Sequence, residues 1–414
     1  SKKGISGKLF SSLGHNNINI RAIAQGASER NISIIIDKKN TSKALNSLHE
    51  TFFEDNLKDI HIFITGVGNV GGYLMKQINV QKKFIAQNLK LNLKVLGISN
   101  SKKMVISDSE IDLNNWGKLL DKSKLKADFN DFQNKILELN LRNSLFVDNT
   151  ASEVIPSTYS KYLKNGIGII TCNKIANSVE YSNYELLKSL SRNNNSPFFY
   201  ETNVGAALPV ISTLNNLINS GDKVIKIEAV LSGTLNYIFN SFKEPDTFHD
   251  IVSKAVDLGF TEPDPKIDLC GVDVSRKILI LARESGYSME FDEVKKNHFL
   301  PTSSINTKTK DDFLLSLKEN SNHFNKLLNE AKKKNCRLKF VAKLDKGEAS
   351  VGLESVPPDH PFYNLVGSDN ITVFYTDRYS ESPLVVKGAG AGGEFTASGV
   401  FADIIKASQE NGKH

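Results

Sequence analysis

The segment from Ala255 to Lys277 carries the richest set of side chains that could do chemistry. Four carboxylates and a lysine fall within sixteen positions: Glu262, Asp264, Asp268, Asp273 and Lys277. Asp273 and Lys277 are four positions apart, so they would share one face of a helix. A lysine held beside carboxylates at the edge of a buried face can donate a proton to a forming alkoxide. The residues alone leave open a second interpretation, an acidic loop followed by an ordinary surface ion pair.

A glycine-rich stretch follows the strand-like run Ile60–Thr65 and precedes the helical pattern Val70–Ile78. Its glycines permit a tight turn, so the helix amino terminus can face a pyrophosphate. The strand–loop–helix setting predicts dinucleotide binding, and a plain structural turn is the alternative. The predicted cofactor-binding residues of this loop are Gly66, Val67, Gly68, Asn69, Val70 and Gly71.

The position that decides between NAD and NADP follows the second predicted strand, Leu93–Ile98. A carboxylate there would bind the ribose 2′-hydroxyl, but the sequence offers Asn100, Lys102 and Lys103. These residues predict NADP, with NAD possible, although the lysines could also be exposed loop charges. Thr150, after the third strand, is expected to contact the ribose or the nicotinamide.

Three segments must position these residues. Residues 1–57 read as helix, strand, strand, helix, which is too little to bury a core alone. Residues 58–202 alternate strand and helix and predict a Rossmann-type parallel sheet, completed by residues 386–414. Residues 203–385 predict an α+β domain for substrate binding and catalysis. The expected fold class is therefore α/β, with a dinucleotide-binding domain and a second α+β domain.

Composition excludes several other classes of protein. The 414 residues carry a net charge of only +6, and the lysines are dispersed, which argues against nucleic-acid binding. No apolar run reaches the ~18 residues of a membrane span. The three cysteines are scattered and the histidines lack metal-ligand spacing. These features predict a cytoplasmic protein without disulfides, zinc or a membrane partner.

The pattern A-x3-G-F-T-x2-D-P-x2-D-L-x-G-x-D-x3-K over residues 255–277 resembles, position for position, the signature of the homoserine dehydrogenases. The resemblance implies NAD(P)-dependent interconversion of L-homoserine and L-aspartate 4-semialdehyde, in threonine and methionine biosynthesis. It makes Lys277 the proton donor and acceptor, lets Glu262 and Asp273 bind the amino end of the substrate, and has Asp268 organise the site. It also places Gly259, with Glu262, where cofactor and substrate meet.

Three further stretches resemble parts of the same family. Lys174, in the sequence TCNK, is implied to contact cofactor and substrate. Gly390, in the loop GAGAG, is implied to lie against the cofactor. The stretch from Tyr200 to Pro209 resembles a hinge that binds a monovalent cation, usually Na+, through main-chain carbonyls. The matching positions are Glu201, Val204, Ala206 and Leu208.

The amino-terminal sequence GISGKLF…NINIRAIAQGASERNISIII resembles the ACT domains of aspartokinase regulatory regions. The chain is therefore expected to be the carboxyl-terminal part of a bifunctional aspartokinase–homoserine dehydrogenase, beginning with a partial ACT unit. The family implies a homodimer, and the ACT-like segment could enlarge it.

Two alternatives remain at this point. One is another Rossmann semialdehyde reductase, with Cys172 or Cys270 as an activated thiolate. The other is a non-catalytic, ACT-type amino-acid-sensing module.

Overall fold

A computed structural model describes residues 4–26, 31–53 and 57–410. Outside this range lie residues 27–30, which belong to the ACT-like sequence, and residues 1–3, 54–56 and 411–414 of the predicted segments 1–57 and 386–414. The chain folds as two units. The first unit holds residues 1–176, 182–200 and 400–414, and the second holds residues 177–181 and 201–399.

The first unit begins with the ACT-like segment. Its elements are α1 (Ile5–His15), β1 (Ile20–Gln25), β2 (Ile32–Ile36) and α2 (Thr41–Phe53). The strands pair antiparallel, and Leu13, Ile18 and Ala44 form a small buried cluster. The helix–strand–strand–helix order predicted from periodicity is therefore present.

The rest of the first unit alternates strands and helices. The elements are β3 (Lys58–Thr65), α3 (Asn69–Leu89), β4 (Leu91–Ser99), β5 (Met104–Ile106), α4 (Trp116–Lys122), α5 (Phe129–Leu139), β6 (Ser144–Asp148), α6 (Tyr159–Lys164), β7 (Gly168–Thr171), α7 (Ile175–Ser178), α8 (Tyr181–Asn193) and β8 (Phe198–Phe199). The sheet order is β5-β4-β3-β6-β7-β8. All neighbours are parallel except β4 and β5, which are antiparallel. The strand order reverses at β3, and ligands of such sheets bind at this switch point, beyond the carboxyl ends of the strands.

The second unit is built on a mostly antiparallel sheet. Its elements are α9 (Val210–Asn219), β9 (Val224–Val230), α10 (Gly233–Ser241), α11 (Phe248–Asp257), α12 (Pro265–Leu269), α13 (Val272–Glu284), β10 (Lys295–Asn297), α14 (Thr302–Ile305), α15 (Lys310–Glu319), α16 (Ser321–Lys333), β11 (Arg337–Asp345), β12 (Glu348–Val356), β13 (Asp369–Thr376) and β14 (Leu384–Ala389). The sheet order is β10-β12-β11-β9-β13-β14. Helices α10, α13 and α16 pack against β11, so the helix that carries Lys277 lies on a rigid sheet.

The last helix, α17 (Gly393–Glu410), belongs to both units. From Val400 onward it is part of the first unit. There Lys58 Nζ donates to the Ser408 carbonyl at 2.7 Å, and Lys406 Nζ lies 4.4 Å from the Phe199 ring centroid. The carboxyl end of the chain thus completes the parallel-sheet unit.

The two units differ in bounds from the three predicted segments. The described residues of the segment 1–57 fall in the same unit as the dinucleotide-binding part. Residues 386–399 belong to the second unit because β14 pairs with β13. No helix in the described ranges is long and apolar enough to cross a membrane.

Candidate active site

The glycine-rich loop lies between β3 and α3, and the surroundings of its three glycines differ. Gly66 has φ +89°, and a Cβ there would lie 2.7 Å from the Asn149 carbonyl carbon. A Cβ on Gly71 would lie 2.3 Å from the Gly66 carbonyl oxygen. A Cβ on Gly68 would meet nothing within 4 Å, which leaves open space at the start of α3. A tight turn, an open approach and close helix–strand packing are what a pyrophosphate-binding loop requires.

A second feature lies at the end of β4. A cavity of about 180 Å³ is lined there by Thr65, Ser99, Asn100 and Ser101, with Phe129 on another wall. Its position beyond the carboxyl ends of β3 and β4 suits the adenosine end of a dinucleotide. Sequence reasoning missed Phe129, because nothing in the pattern indicates that the start of α5 reaches this edge.

Asn100, Lys102 and Lys103 differ in their contacts and in their exposure. The Asn100 Oδ1 accepts the main-chain amides of Lys102 and Lys103, each at 2.8 Å, so this side chain shapes the turn. Lys103 Nζ donates to the Asp121 carbonyl. Lys102 is exposed, which makes its side chain the better placed of the two lysines for a 2′-phosphate.

A buried polar network connects β6 and β7. Asp148 is fully buried and accepts from the Tyr159 hydroxyl at 2.6 Å and from the Asn173 amide at 3.2 Å. Its other oxygen accepts the Thr150 main-chain amide at 2.8 Å. Burial raises the pKa of the Asp148 carboxyl. The network fixes the backbone at Thr150 and holds Asn173, the residue before Lys174. Thr150 and Lys174 are two of the predicted cofactor contacts.

Beside this network, the Asn149 Nδ2 is buried and has no hydrogen-bond partner among the described residues. A buried amide donor without a partner is costly unless a ligand satisfies it. This orphaned donor therefore fits a bound cofactor at the ends of β6 and β7. The sequence indicated the stretch from Asn149 to Ser152 as a place for cofactor contacts, but sequence reasoning missed Asp148, Tyr159 and Asn173 as site-forming residues.

In the second unit, the acidic segment runs from the end of α11 through the short helix α12 into α13. Asp264 caps α12 by accepting the Lys266 amide. Gly271 caps α13 with φ +69°, and a Cβ there would lie 2.6 Å from the Phe340 ring. Gly259 has φ +71° where the chain leaves α11. Two left-handed glycines and an Asx cap thus set the path of this segment.

Lys277 is buried, with 8% of its surface exposed. Its Nζ donates to the Leu231 carbonyl and to the Asp273 carboxylate, each at 2.7 Å. The Asp273 side chain is half exposed. The predicted i,i+4 pair is therefore present, but it fixes a buried ammonium and is not an ordinary surface ion pair.

Asp268 lies in the same cluster of charges. Its Oδ2 accepts the Glu262 main-chain amide at 2.8 Å. Burial, together with the negative charges of Glu262 and Asp273, raises the pKa of the Asp268 carboxyl to about 6. The unit therefore gathers three carboxylates and one ammonium, a set suited to binding an amino group beside a proton donor.

We expect Asp268→Asn to change how stability depends on pH. The pKa of about 6 exceeds the ordinary value of 3.8, so the folded protein binds an additional proton between these pH values. Binding of this proton to Asp268 stabilises the folded state. The stabilisation is fully present below about pH 4 and is lost as the pH rises through about 6. Asparagine keeps an acceptor for the Glu262 amide but cannot ionise. Urea unfolding should therefore show the variant gaining stability relative to the parent as the pH rises over this range.

The matched control for this experiment is Asp257→Asn, at an exposed position in α11. Its pH profile gives the effect of replacing an exposed aspartate by asparagine, against which Asp268→Asn is compared. Parallel pH profiles of the parent and Asp268→Asn would contradict the raised pKa of Asp268.

Helix α10 is held by a buried lysine that sequence reasoning missed. Lys339, in β11, is fully buried and donates to Asn236 Oδ1 at 3.0 Å, Asn240 Oδ1 at 2.6 Å and the Leu365 carbonyl at 2.6 Å. Burial lowers the pKa of the Lys339 ammonium to about 8. Alternation along a strand carries no signal that one inward residue is a lysine.

The remaining predicted residues lie outside this cluster. The Glu201 carboxylate accepts the main-chain amides of Ile211 and Ser212 at 2.7 and 2.8 Å, so its side chain is engaged by α9. A Cβ on Gly390 would lie 2.1 Å from the Asn370 amide, and close packing already accounts for this glycine. Among the described residues, no group of three acidic, histidine or cysteine side chains could hold a metal ion.

The structure thus brings the predicted residues into separate groups. The loop 66–71, Asn100, Lys102, Thr150 and Lys174 follow parallel strands and therefore share one sheet edge. The second unit gathers Glu262, Asp268, Asp273 and Lys277. The roles of these residues, and of Gly259, Gly390 and positions 201, 204, 206 and 208, stay predictions.

Comparison with known proteins agrees with this geometry. The homoserine dehydrogenase family model matches residues 209–405, and the model of the homoserine dehydrogenase NAD-binding domain matches residues 66–201. A homoserine dehydrogenase of Schizosaccharomyces pombe is 37% identical over 84% of this chain and 95% of that protein. The chain belongs to the homoserine dehydrogenase family.

Homoserine dehydrogenases are NAD(P)-dependent oxidoreductases, so the predicted family, the Rossmann-type fold and the nicotinamide cofactor are confirmed. An ACT-domain model matches residues 1–52, which confirms the amino-terminal resemblance. A bifunctional aspartokinase/homoserine dehydrogenase of Zea mays is 40% identical over 98% of this chain and 44% of that protein. The chain spans about half the length of the bifunctional relatives it matches.

Solved structures of homoserine dehydrogenases share the fold. A hyperthermophilic archaeal homoserine dehydrogenase in complex with NADPH has a TM-score of 0.66 and 26% identity, covering 85% of this chain and 98% of that one. A Candida auris protein described as of unknown function has a TM-score of 0.78 and 35% identity, covering 85% of this chain and 99% of that one.

Proposed function

We propose that this chain catalyses the reversible, NADP-dependent interconversion of L-homoserine and L-aspartate 4-semialdehyde, a step of threonine and methionine biosynthesis. The observation that carries the proposal is Lys277. It is a buried ammonium held by the Leu231 carbonyl and Asp273, at the lysine position of the family signature.

The first unit binds the cofactor. The loop 66–71 and the amino terminus of α3 receive the pyrophosphate, because Gly68 leaves them open and main-chain amides point outward there. Lys102 binds the 2′-phosphate, and Thr150, Asn149 and Lys174 contact the nicotinamide half. When bound, the reduced nicotinamide supplies the hydride. The archaeal relative solved with NADPH supports the choice of NADP.

The second unit holds the substrate and moves the proton. Glu262 and Asp273 bind the substrate ammonium, and Asp268 keeps the Glu262 backbone in place through its amide. In the reducing direction, Lys277 Nζ donates a proton to the aldehyde oxygen as it becomes an alkoxide. In the oxidising direction, Nζ takes the proton back from the homoserine hydroxyl. The lysine charge also stabilises the developing oxyanion.

The structure weakens the alternative with a thiolate nucleophile. Burial and the nearby Asp148 carboxylate raise the pKa of the Cys172 thiol to about 11. Burial also raises the pKa of Cys270. An activated cysteine needs the opposite shift, so neither residue suits an acyl-enzyme mechanism.

A monovalent cation and a second copy of the chain complete the proposal. Because the Glu201 carboxylate caps α9, the cation would bind main-chain carbonyls at positions 201, 204, 206 and 208. Ala206 has φ +52° and Gly205 has φ +87°, so the backbone turns sharply there. We propose Na+ at this segment and a homodimer as the active form.

Initial rates of NADPH and NADH oxidation with aspartate 4-semialdehyde test the function. We expect turnover, faster with NADPH because Lys102 meets the 2′-phosphate, and higher rates with Na+ or K+ than with a bulky organic cation. Equal rates with both cofactors would contradict the role of Lys102. No turnover by a folded protein that binds NADPH would reject the substrate assignment.

A further inference from the structure

A cavity of about 230 Å³ lies within the first unit, near the amino ends of β6, β7 and β8 and away from the carboxyl ends of the parallel strands. The ACT-like segment provides one wall with residues 15–17 and Lys43, and the dinucleotide-binding part provides the other. Four basic residues line it: His15, Lys43, Arg142 and Arg192. The one acidic lining residue, within the described ranges, is Glu410.

The walls of this cavity are held by specific contacts. Asn17 Nδ2 donates to the Asn194 carbonyl at 3.3 Å, and Arg142 Nη1 donates to the Asn46 carbonyl at 2.5 Å. Asn17, Asn143 and Asn195 all have left-handed backbones, with φ between 48° and 55°. Asparagine is among the few residues that adopt this conformation readily. The cavity is therefore shaped by fixed turns on both sides.

Charge is unbalanced inside this cavity. Among the described lining residues, Lys43, Arg142 and Arg192 are cationic and Glu410 is the one carboxylate, so cations outnumber anions by two. Burial lowers the pKa of the Lys43 ammonium. Like charges held together and partly removed from water favour a bound counter-ion.

The size of the cavity limits the occupant. A cavity of about 150 Å³ accepts one benzene molecule, so about 230 Å³ holds an occupant with a few more atoms. Arginine and lysine together recognise carboxylate or phosphate oxygens.

We propose that this cavity binds a small oxyanion, a carboxylate- or phosphate-bearing metabolite, which links the ACT-like segment to the dinucleotide-binding part. The site goes beyond the proposed function and does not depend on it. The ligand would contact Lys43 from one wall and Arg142 and Arg192 from the other. Binding therefore stabilises the packing of the two parts against each other.

Thermal unfolding of the whole chain with sodium phosphate or sodium succinate, each against sodium chloride at equal ionic strength, tests the proposal. We expect at least one of the two anions to raise the unfolding midpoint in a saturable way. A response to phosphate alone identifies a phosphate ligand, and a response to succinate alone identifies a carboxylate ligand. A response to both supports an unselective oxyanion site, and no response to either rejects the site.

Variants separate this cavity from other anion sites, because phosphate bound at the loop 66–71 would be unaffected by them. In Lys43→Met/Arg192→Gln the apparent affinity should fall at least tenfold. Arg192→Gln, at an exposed position, gives the same test with the least risk to folding and should weaken binding severalfold. The control Lys83→Gln/Lys118→Gln removes two exposed charges from the same unit and should bind as the parent does. An unchanged affinity in the Lys43 and Arg192 variants, or an equal loss in the control, would overturn the proposal.

Discussion

Lys277→Met should fold as the parent does and lose roughly 10²–10⁴-fold in turnover, the contribution expected of a positioned general acid–base group. The methionine side chain fills a similar volume in the buried face of α13. Asp273 loses the Lys277 ammonium but is half exposed, so water can solvate its carboxylate. The loss should therefore appear in kcat with homoserine and with aspartate 4-semialdehyde, while NADPH binding to the first unit remains intact.

Two further variants show which property of Lys277 matters. Lys277→Arg keeps the positive charge, but a guanidinium does not release its proton near neutral pH. Its turnover should therefore also be low if proton transfer is the role, and largely kept if only the charge counts. Lys254→Met, at an exposed position in the same unit, is the control and should match the parent. Near-normal turnover by a folded Lys277→Met would remove this lysine from the mechanism.

Gly71→Ala should destabilise the first unit and abolish most cofactor binding, whereas Gly72→Ala next to it should do neither. The added methyl at position 71 would lie 2.3 Å from the Gly66 carbonyl oxygen, a main-chain atom that moves only with the whole loop. Overpacking of this kind costs about 1–3 kcal/mol, and the displaced loop would no longer receive the pyrophosphate. Urea unfolding and titration with NADPH, followed by its fluorescence, measure the two effects.

Gly72→Ala is a close control because it makes the same chemical change one residue further along α3. The nearest atom to its added Cβ is 4.0 Å away, in Trp116. Alanine within a helix is about 0.5–1 kcal/mol more favourable than glycine, so this variant should be equal to or more stable than the parent. Similar losses of NADPH affinity in both variants would show that the close approach of α3 to the loop is not what positions the cofactor.

The chemistry-bearing residues of this protein were predictable where sequence spacing and local structure coincide. The loop 66–71 joins a strand and a helix, and Asp273 and Lys277 are one helical turn apart, so short-range pattern was enough to propose their pairing. The family resemblance added the roles. The apolar residues after Lys277 placed it at the edge of a buried face. What the pattern could not show was the contact of its Nζ with the Leu231 carbonyl, 46 residues earlier, which fixes the ammonium.

Other site-forming residues depend on contacts far apart in sequence. Asp148 meets Tyr159 and Asn173 only because β6 and β7 are neighbours in the sheet. Lys339 meets Asn236 across more than a hundred residues. A periodic pattern describes which face a residue occupies, but not which polar groups of other elements arrive beside it. The cavity beside the ACT-like segment was unpredictable for the same reason.

The path of α17 has a consequence for the order in which the protein can be made. Lys58 begins the central strand of the first unit, yet its carbonyl partner, Ser408, lies 350 residues later. Ile404 and Ala407, on the same final helix, are fully buried. At about 5–20 residues per second, a ribosome needs roughly 20–70 s to deliver that helix after the strand. During that interval the sheet lacks this covering helix, so the parallel-sheet unit is completed only after the second unit has been made.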